Sequence, residues 1–268
     1  MANLTIAVAQ MDISFGDPQA NLARVADWAA EAAARSADWL VLPELWSTGY
    51  DLENAGRYAT PTDQGVFAET AVLARTHRLH IIGSCLSRLG DGQYGNTAVF
   101  WDDNGRILAE YSKIHLFRLM HEHQFLTGGQ QLTQVETAWG SVGLSICYDL
   151  RFPEQYRAYA LGGARLVVVP AEWPHPRLAH WQTLLRARAI ENQMFVVACN
   201  RVGQTGGNVF CGHSAIIDPW GEVLVEGGET EELLVAAVDL AQVDAVRRKI
   251  PIFADRRPHL YHVPQPDA

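Results

Sequence analysis

Residues 141–154 read Ser-Val-Gly-Leu-Ser-Ile-Cys-Tyr-Asp-Leu-Arg-Phe-Pro-Glu, an apolar run that stops at a cysteine and resumes as a proline-led segment. The run 141–146 predicts a strand, and Pro153 predicts the start of a helix over 154–161, because proline fits the first turn where its missing N–H costs nothing. Strand, cysteine and helix in that order resemble a nucleophile elbow, a sharp turn expected to expose the Cys147 thiol beside backbone N–H groups. The unit belongs to an α/β core.

Working outward, the same alternation recurs on both sides. Upstream, 4–10 reads as a strand, 18–35 as a helix with apolar or small residues at Leu22, Val25, Ala26, Ala29 and Ala33, and 39–42 as a strand stopped by Pro43-Glu44. A helix at 65–77 and a strand at 79–86 follow. The stretches 97–101 and 107–111 flank Asp102-Asp103-Asn104-Gly105, a turn signal that makes them a hairpin. Residues 112–130 form a long irregular stretch holding Lys113 and Glu122, and long loops in compact domains tend to be functional. A short strand at 135–136 precedes the cysteine strand.

Downstream, 165–169 is a strand, 178–192 a helix and 195–198 a strand. A hairpin at 213–217 and 222–225 turns on Asp218-Pro219-Trp220-Gly221, and a strand at 233–238 and a helix at 241–249 complete the reading. Helices alternate with strands while hairpins are mixed in, so the sheets should be mixed. A four-layer α-β-β-α sandwich accommodates both features. No linker, low-complexity tract or short-period repeat interrupts residues 1–268, which are expected to form a single domain with a large core, given 48% hydrophobic content.

A net charge of −9 and a pI near 5.5 argue against nucleic acid or an anionic membrane as partner, since phosphate neutralisation needs a basic face. No segment approaches the roughly 20 apolar residues of a membrane span. The apolar opening, 1–11, lacks a basic leader and reads as a first strand, so a cytoplasmic location is the expectation.

Cys85, Cys147, Cys199 and Cys211 contain no CxxC pair and no dense framework, which argues against disulfides. Cys85 and Cys199 sit in strand-like apolar runs where a thiol behaves as a small hydrophobe, and Cys211 has no chemical neighbours in sequence. Cys147 is different: with Glu44 and Lys113 it lies where a strand ends or a loop begins, and strand ends of an α/β core gather at one edge. A neutral thiol is a weak nucleophile that needs a base or a nearby positive charge. Lys113 could supply the charge. Glu44, its pKa raised towards neutrality by burial, could take the thiol proton and return it to departing ammonia. The Lys113 ammonium and the Tyr148 N–H would then stabilise a tetrahedral oxyanion.

The segments that carry these residues run in a familiar order: VAQMDISFGDPQAN (8–21), LVLPELWSTGY (40–50), YSKIHLF (111–117), CYDLRFPE (147–154), AEWP (171–174), HWQTLLRARAIENQ (180–193) and GHSAIIDPWGEVL (212–224). Together they resemble the nitrilase, or carbon–nitrogen hydrolase, superfamily over nearly the whole chain. The resemblance implies one carbon–nitrogen hydrolase domain of α-β-β-α form with a Glu44-Lys113-Cys147 triad and a thioester intermediate. It also assigns Glu122, before Phe125-Leu126-Thr127-Gly128-Gly129, as a second glutamate that positions substrate or water, although Gly128-Gly129 stands where the family often has Pro-Gly. LPELWSTGYDL, KIHLFRLMHEH, AEWPHPRLAHW and RARAIENQ look most like the omega-amidase branch associated with bacterial methionine salvage. That branch implies hydrolysis of the terminal amide of a small 2-oxo-dicarboxylate monoamide such as 2-oxoglutaramate or 2-oxosuccinamate, in a homodimer without cofactors. Alternative functions are a nitrilase or a hydrolase of N-carbamoyl or other aliphatic amides using the same triad, and, outside enzymes, an idle binding protein that keeps the fold.

Three further residue groups carry two readings each. Arg151 could grip a substrate carboxylate, or pair structurally with Asp149 or Glu154, and its neighbours in sequence favour the pairing. Trp173 could wall the acyl pocket or pack in the core. Arg186, Arg188 and Glu191 on the 178–192 helix read as a solvated or ion-paired face, with a partly buried network beneath the site as the alternative. His115, His121, Glu122 and His123 fit no common ligand spacing, so no metal is expected. The glycines at 203–207 lack the order of a dinucleotide turn.

Overall fold

A computed structural model describes residues 3–261. In chain order the elements are β1 (Leu4–Gln10), α1 (Pro18–Ala34), β2 (Trp39–Val41), α2 (Ala55–Tyr58), α3 (Gly65–His77), β3 (His80–Gly90), β4 (Gln93–Trp101) and β5 (Ile107–Ser112). Then come α4 (Glu122–Phe125), β6 (Gln134–Thr137), β7 (Gly140–Leu144), α5 (Pro153–Leu161), β8 (Leu166–Ala171), α6 (Leu178–Asn192) and β9 (Phe195–Asn200). A small ribbon, β10 (Gln204–Thr205) and β11 (Asn208–Val209), precedes β12 (Ala215–Ile217), β13 (Val223–Glu226), β14 (Glu232–Val238) and α7 (Ala241–Lys249).

Two six-stranded mixed sheets result. The first runs β14-β1-β2-β3-β4-β5 and the second β13-β12-β9-β8-β7-β6. Each has three parallel strands at its centre, β1-β2-β3 and β7-β8-β9, flanked by antiparallel neighbours. The parallel centres come from strand–helix–strand connections and the antiparallel flanks from hairpins.

The period-2 pattern of the strands decides the layering. Leu4, Ile6 and Val8 of β1 join a buried cluster with Val142, Leu144, Leu166, Val168 and Val197 of the second sheet. Ala7 and Ala9, on the opposite face, cluster with Val25, Ala29 and Ala32 of α1 and with Phe67 and Ala74 of α3. The second sheet is covered on its other side by α5 and α6, whose Tyr156, Tyr159, Trp181 and Leu185 complete the inner cluster. Helix, sheet, sheet and helix therefore stack as the four expected layers. α1 starts where the sequence places it: Asp17 caps the helix by accepting from the Ala20 N–H at 3.1 Å, with Pro18 at the first position.

The strands differ from expectation where the apolar signal fades. β3 and β4 extend to 80–90 and 93–101 and form a hairpin around Asp91-Gly92, but Arg88, Gly90, Gln93 and Gly95 carry no hydrophobic alternation. The β10–β11 ribbon turns through Gly206 and Gly207, both at positive φ (55° and 80°), a two-residue hairpin turn that the glycines make possible. β7 ends at Leu144, so Ser145 and Ile146 lead out of the sheet towards Cys147. None of the described helices is long and apolar enough to cross a membrane.

Candidate active site

The carboxyl ends of the parallel strands β2, β7 and β8 lie towards a common region, and each delivers a chemically active side chain: Glu44, Cys147 and Glu172. Pro43 ends the β2 ladder just after the Leu42 N–H reaches the Ile82 carbonyl. Leu45 then adopts a left-handed conformation (φ 44°), its N–H held by Ser84 Oγ at 2.9 Å. Such a buried non-glycine residue costs of order 1–3 kcal/mol, tolerated because the surrounding bonds fix it. The turn points Glu44 inward, fully buried.

Lys113 follows β5, its N–H bonded to the Asn96 carbonyl and its carbonyl accepting from the Gly129 N–H, both at 2.9 Å. A Cβ at residue 129 would lie 2.1 Å from the Ser112 carbonyl oxygen, so this closure of the 113–129 loop requires glycine. Lys113 Nζ donates to Glu44 Oε1 at 2.7 Å and to Glu122 Oε1 at 2.6 Å, all three side chains being fully buried. The Tyr50 hydroxyl, 2.7 Å from Glu122 Oε1 and 3.0 Å from Glu44 Oε1, donates to one or the other. Asn96 Nδ2 donates to Glu44 Oε1 at 2.8 Å and the Glu172 N–H to Glu44 Oε2 at 2.9 Å. Glu122 Oε2 accepts from the Phe117 N–H at 2.6 Å and so anchors the loop. The flanking His121 and His123 are exposed, whereas Glu122 between them is buried.

Cys147 opens a 3-10 turn, Cys147–Arg151, with φ 46°. Two buried polar side chains hold the turn. Asp149 Oδ2 accepts from the Ile146 N–H at 2.9 Å and the Tyr111 hydroxyl at 2.7 Å, and Oδ1 from the His115 N–H at 3.1 Å, with His115 Nδ1 2.8 Å away. This carboxylate ties the cysteine turn to the Lys113 loop. Arg188, from α6, donates through Nε at 3.0 Å and Nη2 at 2.8 Å to the Leu150 carbonyl, and through Nη1 to Glu191 at 2.7 Å. The 178–192 cluster is therefore not a solvated face throughout: Arg188 is buried under the turn.

Two expectations about the thiol are corrected. Cys147 is buried, 5% exposed, and not presented on the surface, because the turn faces inward between the sheets. Its pKa lies well above the ordinary thiol range: burial raises it, the Glu44 carboxylate raises it further, and the Lys113 charge opposes without prevailing. The resting thiol is neutral and needs a base. Burial alone would lower the Lys113 pKa, but the Glu122 and Glu44 carboxylates outweigh it and keep the ammonium charged. Burial, then the same two carboxylates, push Tyr50 upward, so its hydroxyl stays a donor.

A narrow cleft of about 10 Å³, room for about one water molecule, lies over Cys147 and is lined by Phe117, Tyr148, Arg151, Glu172, Trp173, Pro174 and Arg177. Trp173 lines the cleft, and its ring stands 5.4 Å from that of Trp181. The structural pairing of Arg151 with Asp149 or Glu154 is not found. Asp149 is occupied as described, and Arg151 lies over the Trp173 ring at 4.7 Å with Nη2 3.3 Å from His180 Nδ1.

The structure brings Glu44, Lys113, Glu122 and Cys147 into one cluster and sets Tyr148, Arg151 and Trp173 on the cleft above it, with Arg151 against the ion-pair reading favoured from sequence. Sequence reading missed Tyr50, Asn96, Phe117, Glu172 and Arg177. Tyr50 closes the LPELWSTGY segment and Glu172 adjoins Trp173, so nearness to a singled-out residue was a usable signal. Asn96 and Phe117 gave none.

A two-sheet α-β-β-α fold with a buried carboxylate, ammonium and thiol under a small cavity defines a cysteine-containing hydrolase class. The carbon-nitrogen hydrolase family pattern matches residues 5–248, and the chain belongs to that family, whose members hydrolyse carbon–nitrogen bonds. It is 44% identical over 257 residues to 2-oxoglutaramate amidase of Bacillus subtilis, covering 96% of this chain and 99% of that protein. It is 31% identical over 272 residues to omega-amidase NIT2 of Homo sapiens, covering 98% of each. A solved structure of a mutant amidase from Nesterenkonia sp. AN1, with the acetamide moiety of fluoroacetamide added covalently at its active-site cysteine, matches with a TM-score of 0.86 at 31% identity, over 96% of this chain and 95% of that one.

Proposed function

We propose that this protein is an omega-amidase that hydrolyses the terminal amide of a small 2-oxo-dicarboxylate monoamide, 2-oxoglutaramate or 2-oxosuccinamate, to the acid and ammonia. The observation that carries the reading is the convergence of Cys147 with the buried Glu44–Lys113 pair beneath a narrow cleft that opens over the sulfur. The substrate class follows from the likeness to 2-oxoglutaramate amidase and omega-amidase NIT2.

The chemistry runs as follows. Glu44 accepts the Cys147 proton as the sulfur attacks the amide carbon, which overcomes the raised thiol pKa without a resident thiolate. The carbonyl π electrons move onto oxygen, and the oxyanion is met by the Lys113 ammonium and the Tyr148 N–H, which lies in the first turn of a helix where no carbonyl of the turn claims it. The carbon–nitrogen bond breaks, Glu44 returns the proton to nitrogen, and ammonia leaves a thioester on Cys147. Water then gives its proton to Glu44, adds to the thioester carbon, and the acid departs as the sulfur recovers the proton. Glu122 and Tyr50 hold Lys113 and Glu44 in register. Trp173 and Arg151 contact the acyl portion of the substrate. No step calls for a cofactor or metal.

The same reading makes the protein a one-domain cytoplasmic homodimer, its place in methionine salvage following from the branch it resembles. The exposed apolar groove of Ile190, Trp220 and Ile250 offers a surface for the second copy. The test is ammonia release from 2-oxoglutaramate and 2-oxosuccinamate between about pH 6 and 9, beside an aliphatic nitrile and an N-carbamoyl amino acid. Preference for the 2-oxo amides is expected. Turnover of the nitrile or carbamoyl substrate alone moves the assignment to that class, and turnover of none overturns it.

A further inference from the structure

The two oxygens of Glu44 are used differently. Oε1 accepts from Lys113 Nζ at 2.7 Å and Asn96 Nδ2 at 2.8 Å, whereas Oε2 accepts from the Glu172 N–H at 2.9 Å and keeps a lone pair for the proton it exchanges with sulfur, nitrogen and water. The residue that fixes this oxygen also lines the cleft over Cys147. The Glu172 side chain is fully buried, its Oε2 accepts from Arg201 Nη1 at 2.9 Å, and its Oε1 has no hydrogen-bond partner among the described residues. A buried carboxyl oxygen without a partner, on a cleft with room for about one water molecule, calls for a ligand that can hydrogen-bond.

Charge counting leaves a proton on this group. Lys113 is shared by Glu44 and Glu122, and Arg201 by Glu172 and Asp12, whose Oδ1 lies 2.6 Å from Nη2, so two cations face four carboxyl groups. Asp12 is partly exposed and solvated, whereas Glu172 is walled in beside the Glu44 carboxylate. Burial pushes the Glu172 carboxyl up to about 8 against the Arg201 charge, and Glu44 adds to the rise. With Oε2 accepting from Arg201, the proton of the neutral carboxyl sits on Oε1, which makes that oxygen a donor.

We infer that the Glu172 Oε1–H donates to the water that cleaves the thioester, and so favours hydrolysis over acyl transfer to an amine in the second half of the reaction. The proposal rests on the amidase reading, in which ammonia is released beside that same thioester. A water oxygen has two lone pairs. One accepts from Glu172 while the other bonds to the thioester carbon, the carbon–sulfur bond breaks, and the water proton passes through Glu44 Oε2 to sulfur. An amine nitrogen has one lone pair. Used to accept from Glu172 it is lost to the attack, and used to attack it leaves a buried donor unpaired, so the amine forfeits a hydrogen bond that water keeps. Glu172 retains its own proton throughout.

The test is product partition. Methoxyamine, an amine that is unprotonated at neutral pH, is added as a competing nucleophile, and the ratio of N-methoxy amide to acid is measured. Both products come from one thioester, so the ratio does not depend on how much of a variant is folded. Glu172→Met removes the donor, Glu172→Asp keeps the acid but withdraws it by one methylene, and Glu172→Gln keeps the reach, an oxygen for Arg201 and an N–H for water. The ratio should rise at least about fivefold in the Met and Asp variants, within the range of one uncharged hydrogen bond, and stay within about twofold of wild type in the Gln variant. A smaller rise in Met or Asp, or a larger one in Gln, overturns the proposal. Asp and Gln both keep a polar group for Arg201, so that pair decides if the Met variant does not fold.

The thioester is loaded in parallel from 2-oxoglutaramate and from para-nitrophenyl butanoate, an activated ester that acylates sulfur by expelling nitrophenolate and needs no amide. Wild-type protein that turns over the ester yet releases no ammonia from amides overturns the amidase reading, and the partition of the ester-derived thioester still judges Glu172. Failure to load from either source overturns both.

Discussion

Lys113 Nζ lies 2.7 Å from Glu44 Oε1 with both side chains fully buried, and the ammonium is shared with Glu122 on its other side. Buried charges are expensive to leave uncompensated, so this contact serves folding and chemistry together.

Lys113→Met should therefore show two losses. Removing the ammonium strands two buried carboxylates, for a stability loss of about 3–5 kcal/mol in urea denaturation. It also removes an oxyanion donor, so kcat at saturating substrate should fall at least about 10²-fold. Adding Glu122→Gln should recover part of the stability and none of the rate. A change confined to KM, with unaltered stability, contradicts the role given to Lys113.

The Cys147 turn makes a second, backbone-level prediction. At φ 46° an L residue pays for its Cβ, about 1–2 kcal/mol, whereas glycine does not. Cys147→Ala and Cys147→Gly should both be folded and inactive, with the glycine variant more stable than the alanine variant by about 0.5–1 kcal/mol. In ordinary strand or helix backbone the order is the reverse. Alanine proving the more stable by urea midpoint would show that the turn is not held in the left-handed region.

Glu172 sets a pH dependence. Its carboxyl is pushed from an ordinary 4.5 up to about 8 by burial, with the Arg201 charge opposing and Glu44 adding to the rise. Between those values the folded chain keeps a proton that the unfolded chain has released, so the folded state binds more protons. Its stabilising effect is full below the unfolded value and is lost as pH rises through about 8. Glu172→Gln should flatten the decline of stability between about pH 5 and 8 by up to about 1 kcal/mol per pH unit. Parallel slopes for the two proteins in pH-dependent urea melts would refute the shift.

The elements that carry Glu44 and Cys147 were legible because each follows a strand whose burial on both faces leaves a continuous apolar run, such as Trp39-Leu40-Val41, whereas β5 before Lys113 is largely exposed and was legible from the Asp102–Gly105 turn signal of its hairpin. Pro43 and Pro153 marked where those runs break. What was not legible is tertiary: that the thiol faces inward depends on which side of the second sheet the turn packs, and that Arg188 is buried depends on the Leu150 carbonyl lying above α6. Arg151 misled for the same reason. Its sequence neighbours Asp149 and Glu154 suggested an ion pair, but Asp149 is claimed by Ile146, Tyr111 and His115, the last two from distant segments. Local spacing cannot reveal competition for one carboxylate.

That competition yields the last prediction. Asp149 receives donors on both oxygens, from the Ile146 N–H and Tyr111 hydroxyl on one and from the His115 N–H on the other. Asparagine has nearly the same shape but offers one oxygen and an NH₂. Whichever way the amide is turned, at least one buried N–H faces a donor and loses its partner, at a cost of about 1–3 kcal/mol for each group left unsatisfied. The two segments joined here carry Cys147 and Lys113, so losing the joint shifts sulfur and ammonium relative to each other. A displacement of even about 1 Å can lower a rate about 10²-fold. Asp149→Asn should therefore lower kcat far more than it raises KM while leaving most of the fold intact, a split visible in steady-state kinetics beside a urea melt. If Asp149→Asn matches the wild-type kcat, the carboxylate does not hold the cysteine turn against the lysine loop.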